Sequence, residues 1–290
     1  MSVKSEVQWL ICREPVHIGG ADSSSRGNNN PIYRLPDRTP AIPGSSLRGA
    51  LRERAQNEAA YADFVDNWFG REIKPKNESE EGEENKQPSD NESGDEVQTS
   101  PGYISLSWGW PVWWPIHVLG YGNWWISCPS WLNRVHQLTQ SGQEINLSSE
   151  DTYITSPELD GKDVYLRWLK LENVKDCTSK LNTFPAPREI RKDNRMIVVS
   201  DNRINLMVDM GLVRQPRVSL RDEPDSKGSL VNNLFAVEGL PPGAVFIFAW
   251  TFKKQAKVEN PDQWPQFLKL DHYLGGLWSV GYGRISILKM

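Results

Sequence analysis

The chain has 290 residues, of which 38% are hydrophobic and 24% charged, and its formal net charge at pH 7 is -4. This length and composition suffice for one large domain, or two small ones, with a buried core. No stretch approaches the roughly 18 apolar residues of a membrane span, and the first residues lack a secretory leader, so we expect a cytoplasmic protein. The cysteines, Cys12, Cys128 and Cys177, lack the paired spacing of a zinc or redox motif.

The acidic residues are concentrated in one segment. Residues 72–96 carry ten Asp or Glu against three Lys, a net charge of -7, which leaves +3 for the rest of the chain. Because residues 72–100 are almost free of apolar side chains, we predict a disordered acidic insertion there. Such an insertion could act as a decoy for phosphate, but a tolerated surface insertion is the simpler interpretation.

Short β-type runs alternate with a few helical patterns along the rest of the chain. We predict strands over residues 7–12, 103–106, 196–200, 245–251 and 284–288. We predict helices from a cap at Ser45 or Ser46, over 129–138, and over 202–209 behind a cap at Asp201. Residues 213–220 and 230–237 flank a polar stretch, which predicts a hairpin. This order favours a single α+β domain with an antiparallel sheet and segregated helices.

The segment from residue 15 to residue 52 carries chemistry suited to a polyanion. It reads P-V-H-I-G-G and later P-G-S-S-L-R-G-A-L-R. A helix that starts near Gly44 points unpaired N–H groups outward, and the neighbouring serine hydroxyls add donors. Arg48 and Arg52 lie four residues apart and therefore share one helix face, where they could hold successive phosphates. An ordinary solvent-facing helix with two arginines remains an alternative.

Two further segments are informative. Residues 274–284, L-G-G-L-W-S-V-G-Y-G-R, contain four glycines that would let a backbone approach a ligand closely, although tight turns before the last strand would need them too. A tryptophan-rich block follows the acidic segment and favours core packing, with one or two rings left to reach a ligand. Its members are Trp108, Trp110, Trp113, Trp114, Trp124, Trp125 and Trp131.

Together these segments resemble the RAMP superfamily of CRISPR proteins. That family pairs an early H-x-G loop with a P-G-S-S-L-[KR]-G-x-x-R helix start and a C-terminal glycine-rich loop, and all three stand in order here. The resemblance is closest to the backbone subunit (the Cmr-four type of the Cas-seven group) of the type III-B Cmr complex. G-Y-I-S-L-S at residue 102, C-P-S-W-L-N-R at 128, M-I-V-V-S-D at 196 and L-F-A-V-E-G-L-P-P-G at 234 follow that family's order.

The resemblance implies an RRM-like, ferredoxin-type RAMP palm with finger insertions and a thumb β-hairpin at 213–237. It implies crRNA and target RNA as partners, together with copies of the chain along the guide and other type III CRISPR subunits. Contacts to the sugar-phosphate chain would leave the bases free to pair. On that analogy, RNA would be bound by His17, Arg34, Gly44, Ser45, Ser46, Arg48, Arg52, Gly275, Gly276, Gly281, Gly283 and Arg284.

The family also cuts target RNA, using an aspartate two residues before a P-[IV]-x-R motif. Here the motif begins at Pro31, and the matching position holds Asn29. An amide neither accepts a proton nor binds Mg²⁺ as a carboxylate does, so we expect cleavage to be impaired. Asp22 and Asp37 lie in the same loop and could substitute; an active centre would then need Mg²⁺ or another divalent cation.

Three other functions stay open from sequence. The chain could be an active metal-dependent endoribonuclease that uses Asp22 or Asp37, or a guide-processing endoribonuclease that uses His17. Metal dependence separates these two, because cleavage by histidine survives EDTA. A tryptophan-rich carbohydrate-binding module is the alternative without RNA, and it predicts no salt-dependent RNA affinity.

Overall fold

The structure is a computed structural model that describes residues 5–20, 29–71, 101–148, 150–224, 228–253 and 260–290. The predicted insertion at 72–100 lies outside the described residues. The strands are β1 Ser5–Cys12, β2 Asn29–Asn30, β3 Ile104–Leu106, β4 Trp110–Val118, β5 Gly122–Ser127, β6 Tyr153–Ile154, β7 Val164–Leu166, β8 Leu169–Leu171, β9 Lys175–Asp176, β10 Met196–Val198, β11 Val213–Leu220, β12 Val231–Gly239, β13 Val245–Phe252, β14 Asp271–Tyr273 and β15 Arg284–Lys289. The α-helices are α1 Gly44–Gln56, α2 Val65–Phe69, α3 Pro129–Thr139, α4 Arg188–Asp193, α5 Asp201–Gly211 and α6 Gln263–Phe267.

A 12-stranded sheet organises the fold, and its main path runs β14-β15-β1-β13-β4-β5-β10-β6-β9. β1 lies between β13 and β15 and is antiparallel to both. The α+β prediction is confirmed, but the expectation of a purely antiparallel sheet is wrong, because β10 runs parallel to β5. A parallel neighbour needs a long crossover, and α3, which directly follows β5, lies within that connection.

The sheet buries side chains on both faces. On β1, Leu10 and Cys12 belong to one core cluster, while the alternating Trp9 and Ile11 belong to a second. The first cluster also includes apolar side chains of α1, α2, α5 and α6, and the second includes those of α3 and α4. Alternation with period two therefore places helices on both faces of the same strands.

Most of the tryptophan-rich block packs in the core, as predicted. Trp113 and Trp114 are fully buried, and Trp124 and Trp131 are nearly so. Trp108 differs, because 36% of its surface is exposed. The cysteines Cys12, Cys128 and Cys177 are all buried and free. No helix in the described part of the chain has the length and apolar character needed to cross a membrane.

Two helix starts differ from the predicted caps. Pro43 is the N-cap of α1, so the helix begins at Gly44, and Ser45 and Ser46 lie within its first turn. Ser200, not Asp201, is the N-cap of α5. The Asp201 carboxylate instead accepts a hydrogen bond from the backbone N–H of Ser130 at 3.0 Å. A polar side chain near a helix start can thus be recruited by a neighbouring element, which the local sequence does not reveal.

The predicted hairpin is present. β11 and β12 pair antiparallel from Val213 opposite Gly239 to Leu220 opposite Val231. β2 adds to the base of the hairpin in parallel, with Asn29 opposite Ala236. The backbone of Asn29, where the resemblance implies an aspartate, is therefore attached to the hairpin rather than to the large sheet.

Candidate RNA interface

The early H-x-G loop and the C-terminal glycine loop form one surface. The backbone N–H of Gly276 donates to the His17 carbonyl oxygen at 3.0 Å. Gly275 has a φ of +80°, and a Cβ there would lie 2.0 Å from the same oxygen. Only glycine satisfies both conditions, so the resemblance and the geometry agree on why position 275 lacks a side chain.

A groove of about 430 Å³ opens beside this contact, and we call it the glycine-loop groove. Its lining consists of His17, Ile18, Gly19, Ser46, Ala50, Glu53, Gly275, Gly276 and Trp278. His17 Nδ1 lies 2.7 Å from the carbonyl oxygen of Glu238. Because a carbonyl only accepts, Nδ1 carries a proton, and in the neutral ring Nε2 is an acceptor. Three segments that are distant in sequence therefore line one groove.

The remaining predicted members of the C-terminal glycine loop are Gly281, Gly283 and Arg284. Gly281 and Gly283 have φ values of +86° and +99°, and a Cβ at 283 would lie 2.8 Å from Trp278 Cδ1. Arg284 begins β15 and donates to the Asp271 carboxylate at 3.0 Å, at the surface. These three residues do not line the glycine-loop groove.

A second groove, of about 600 Å³, lies on the other side of the first turn of α1. We call it the cationic groove. Its lining consists of Gly44, Ser45, Arg48, Phe69, Gly70, Arg71, Pro101, Gly102, Ile104, Ser105, Leu106, Trp108 and Lys253. The cations are Arg48, Arg71 and Lys253, and this described lining contains no carboxylate.

Arg48 is held against the protein at the edge of the cationic groove. Its Nη2 donates to the carbonyl oxygen of Phe69, and its guanidinium lies 5.6 Å from the centre of the Phe69 ring. Burial and, to a smaller extent, the charge of Arg52 lower the pKa of Arg48. Among the described residues, the buried Nε of Arg52 has no hydrogen-bond partner. The pair shares one helix face as predicted, but only Arg48 borders the cationic groove.

The Arg34 guanidinium forms ion pairs with two carboxylates. Its side chain is 11% exposed, Nη1 donates to Asp209 Oδ1, and Nη2 donates to Glu238 Oε2 at 2.9 Å. Asp209 also accepts from Arg38 at 2.6 Å, and Glu238 accepts from Arg214 at 3.3 Å. This network fastens the loop before α1 to α5 and to the base of the hairpin. Sequence reasoning missed Asp209 and Glu238, because neither stands in a motif that suggests a partner for Arg34.

Of the loop residues predicted to act in cleavage, the structure describes Asp37 and the backbone of Asn29. The structure describes the backbone of Asn29, which pairs with β12, but not its side chain, and Asp22 lies outside the described residues. Asp37 is exposed, and its carboxylate accepts from the backbone N–H of Thr39 at 2.9 Å. The loop is therefore placed beside the hairpin base.

A divalent cation would need several oxygen ligands that are free of other partners. Among the described residues, no three His, Cys, Asp or Glu side chains are grouped to hold a metal. Two carboxylates that contact this loop through Arg34, those of Asp209 and Glu238, are already paired with guanidinium groups. The described donor set does not fit Mg²⁺.

The hairpin carries exposed apolar and basic side chains. Between 44% and 64% of the surface is exposed at Val218, Leu220, Leu230, Val231 and Leu234. The Tyr282 hydroxyl donates to Gln215 Oε1 at 3.0 Å, which joins the glycine loop to β11. The hairpin is therefore joined at its base to the C-terminal glycine loop and carries exposed apolar groups along its strands.

Comparison with known proteins gives a family and a fold. The family described as the RAMP superfamily matches residues 9–286. The Type III-B Cmr-beta structure in the apo state matches at 16% identity and a TM-score of 0.69, over 99% of this chain and 97% of the other. The structure of Type III-B Cmr-beta bound to cognate target RNA matches at 16% identity and a TM-score of 0.69, over 98% of this chain and 96% of the other. The structure of oligomeric Cmr4 from Pyrococcus furiosus matches at 16% identity and a TM-score of 0.68, over 99% of this chain and 98% of the other. Among curated proteins, none matches the sequence.

Proposed function

Since this chain belongs to the RAMP superfamily, we propose that it is a guide-RNA-binding backbone subunit of a type III CRISPR effector complex, with an impaired target-cleavage centre. One observation carries the proposal: His17, Gly275 and Ser46, from three distant segments, line a single groove beside the start of α1. The groove on one side of that helix start is lined by the cations Arg48, Arg71 and Lys253, and the groove on the other side is lined by His17, Glu53 and the backbone of the glycine loop. Both are open grooves rather than closed pockets for a small molecule.

The guide binds through its sugar-phosphate chain. The unpaired N–H groups of the first turn of α1, the Ser45 hydroxyl and the charge of Arg48 all suit phosphate oxygens. None of these groups reads a base edge. A carrier of arbitrary guides requires such sequence-independent contacts.

His17 supports RNA over DNA as the ligand. Its Nδ1 proton is committed to the Glu238 carbonyl, so Nε2 accepts from whatever enters the glycine-loop groove. The ribose 2′-hydroxyl is a donor that DNA lacks, and a neutral imidazole acceptor matches it. We assign His17 this recognition role rather than guide processing.

The hairpin is the thumb of an RRM-like palm with finger insertions. Its exposed aliphatic side chains, such as Leu220 and Leu234, wedge between bases and kink the guide. Copies of the chain follow one another along the guide beside other type III subunits in the cytoplasm, and the paired target RNA lies on the same surface. The solved relatives named for target RNA and for an oligomer support this arrangement.

Target cleavage is impaired because Asn29 stands at the position of the expected aspartate. An amide cannot serve as a general base and is a weaker Mg²⁺ ligand than a carboxylate. The described part of the loop offers no replacement for the missing carboxylate. Asp37 is exposed, and the carboxylates of Asp209 and Glu238 are paired with Arg34. The subunit therefore holds guide and target without efficient cutting.

Salt dependence of RNA affinity tests the binding proposal. We expect the affinity of the full chain for single-stranded RNA to fall as salt rises, and Arg48→Ala to weaken all sequences equally and reduce the slope by about one unit. Arg167→Ala, outside both grooves, is the matched control and leaves the slope unchanged. Absence of RNA binding, or an Arg48→Ala effect confined to certain sequences, would refute the proposal.

A further inference from the structure

Trp108 is the exposed member of an otherwise largely buried tryptophan block. It retains 36% of its surface exposed, whereas Trp113 and Trp114 retain none. The exposed part of the residue borders the cationic groove together with Arg48 and Lys253. A ligand that covered the exposed part of this indole would gain free energy by removing apolar surface from water.

The backbone around Trp108 is fixed on both sides. Ser107 exchanges hydrogen bonds with Ala249, both at 2.8 Å, and the Ser107 hydroxyl also donates to the Trp108 carbonyl at 2.9 Å. Gly109 exchanges backbone hydrogen bonds with Ile42 at 2.9 and 3.0 Å. The backbone that carries the indole is therefore already fixed, so stacking on it requires little further loss of backbone entropy.

Neighbouring rings hold the indole in place. The Trp110 ring stacks on the Trp108 ring, with ring centres 5.9 Å apart and an interplanar angle of 19°. The centre of the Tyr33 ring lies 5.7 Å from the centre of the Trp108 ring, at an interplanar angle of 66°. The Arg134 guanidinium lies 4.2 Å from the centre of the Trp110 ring. Tyr33 belongs to the P-I-Y-R motif, so this aromatic row connects the cationic groove to the loop that carries position 29.

The charge of the groove selects the kind of ligand. Its described lining has three cations and no carboxylate, so it suits a polyanion that also presents flat apolar rings. Single-stranded RNA has both properties: phosphates for Arg48 and Lys253, and a base for the indole. A neighbouring protein copy that buried Trp108 would have to leave these cations unpaired or supply matching acids.

We propose that Trp108 is a stacking platform for one nucleobase of single-stranded RNA in the cationic groove. This inference rests on the proposed function and adds an apolar, sequence-tolerant contact to the phosphate contacts of α1. Any base can stack there, since every base has an aromatic face.

Affinity for fluorescein-labelled oligouridine, measured by anisotropy with the full chain, tests this platform. Base stacking on an aromatic residue is worth about 1 to 3 kcal/mol, so we expect Trp108→Ala to weaken binding roughly 5- to 150-fold. The slope of log Kd against log salt stays unchanged, because the contact is not ionic. Trp108→Phe keeps most of the affinity. Trp168→Ala, at an indole 72% exposed and outside both grooves, is the matched control and has no effect.

Three results would overturn the inference, and each is distinct from failure of the proposed function. The first is an unchanged affinity for Trp108→Ala while Arg48→Ala still weakens binding. The second is an equal loss for Trp108→Ala and Trp168→Ala. The third is loss of self-association by Trp108→Ala, seen by light scattering without RNA, at unchanged RNA affinity; Trp108 would then serve a copy-to-copy contact. If the unsubstituted chain bound no RNA, the proposed function itself would fail, and the platform with it.

Discussion

Gly275 lies so close to His17 that a Cβ at position 275 would come within 2.0 Å of the His17 carbonyl oxygen. The backbone there also has a φ of +80°, which disfavours every residue with a side chain. This contact holds the C-terminal glycine loop against the early loop and shapes the glycine-loop groove.

Substitution of Gly275 therefore tests the architecture of that groove. Gly275→Ala should lower the free energy of unfolding by about 1 to 3 kcal/mol or more, since strained backbone and a backbone clash add together. RNA affinity should fall with it. Thermal unfolding followed by circular dichroism measures the first effect. Gly276→Ala is the control, because a Cβ there meets no atom within 4 Å. Equal melting temperatures for the two variants would contradict the predicted role of Gly275.

Replacement of His17 tests the proposed recognition of ribose. His17→Phe keeps a ring at the groove but removes the Nε2 acceptor and the proton donated to the Glu238 carbonyl. We expect the preference for RNA over DNA of the same sequence to fall by roughly 2- to 13-fold, the effect of one lost hydrogen bond. Competition binding with matched RNA and DNA oligomers measures this ratio. A parallel loss of affinity for both polymers would instead assign His17 a structural role in the loop.

Restoration of the carboxylate at position 29 tests the impaired cleavage centre. The fully assembled complex should cut target RNA slowly or not at all, and Asn29→Asp should increase the Mg²⁺-dependent rate by at least about 100-fold, the lower range of general-base contributions. Gel analysis of a labelled target gives the rates, and Asn30→Asp serves as a neighbouring control. Robust cutting by the unsubstituted chain, equal to that of Asn29→Asp, would refute the idea.

A buried histidine makes stability depend on pH. His272 is 1% exposed and packs edge-on against Phe267 at 5.0 Å. Burial lowers the pKa of His272 from 6.5 to about 4. The neutral ring thus favours the folded state at pH above 6.5, and this contribution is lost as pH falls from 6.5 through 4. The difference amounts to about 3 kcal/mol.

Chemical unfolding at pH 7.5 and pH 4.5 measures this contribution. His272→Phe should lose less stability between the two pH values than the unsubstituted chain does. The comparison isolates His272, since all other titrating groups are shared by the two proteins. An identical loss in both would show that His272 does not carry the acid sensitivity.

Elements with strong periodicity could be predicted from sequence, and contacts across the fold could not. The apolar runs of β1, β13 and β15 and the apolar face of α3 specify their own conformation, because burial fixes which residues face inward. The direction of β10 beside β5 is not local information: a run of three apolar residues pairs equally well in either direction until the crossover is known.

The same distinction between local sequence information and contacts across the fold applies to the candidate site. His17, Gly275 and Ser46 could be predicted because glycines and helix starts have backbone requirements that are visible in sequence. Arg34 was expected to contact RNA, and its pairing with Glu238 was missed, because an isolated carboxylate on a strand gives no sign of its partner. Trp108 is exposed while Trp113 and Trp114 are buried, and the local sequence of the block does not distinguish them.

Recovery of the chain with its bound nucleic acid tests the central claim most directly. The full-length protein should be purified together with its natural companion subunits at modest ionic strength, and the bound RNA extracted, sized and sequenced. We predict a small RNA of uniform length with a common repeat-derived end and varied sequence beyond it. A complex that carries no nucleic acid, or only RNA of random length and origin, would contradict a guide-bearing role for the surface around α1.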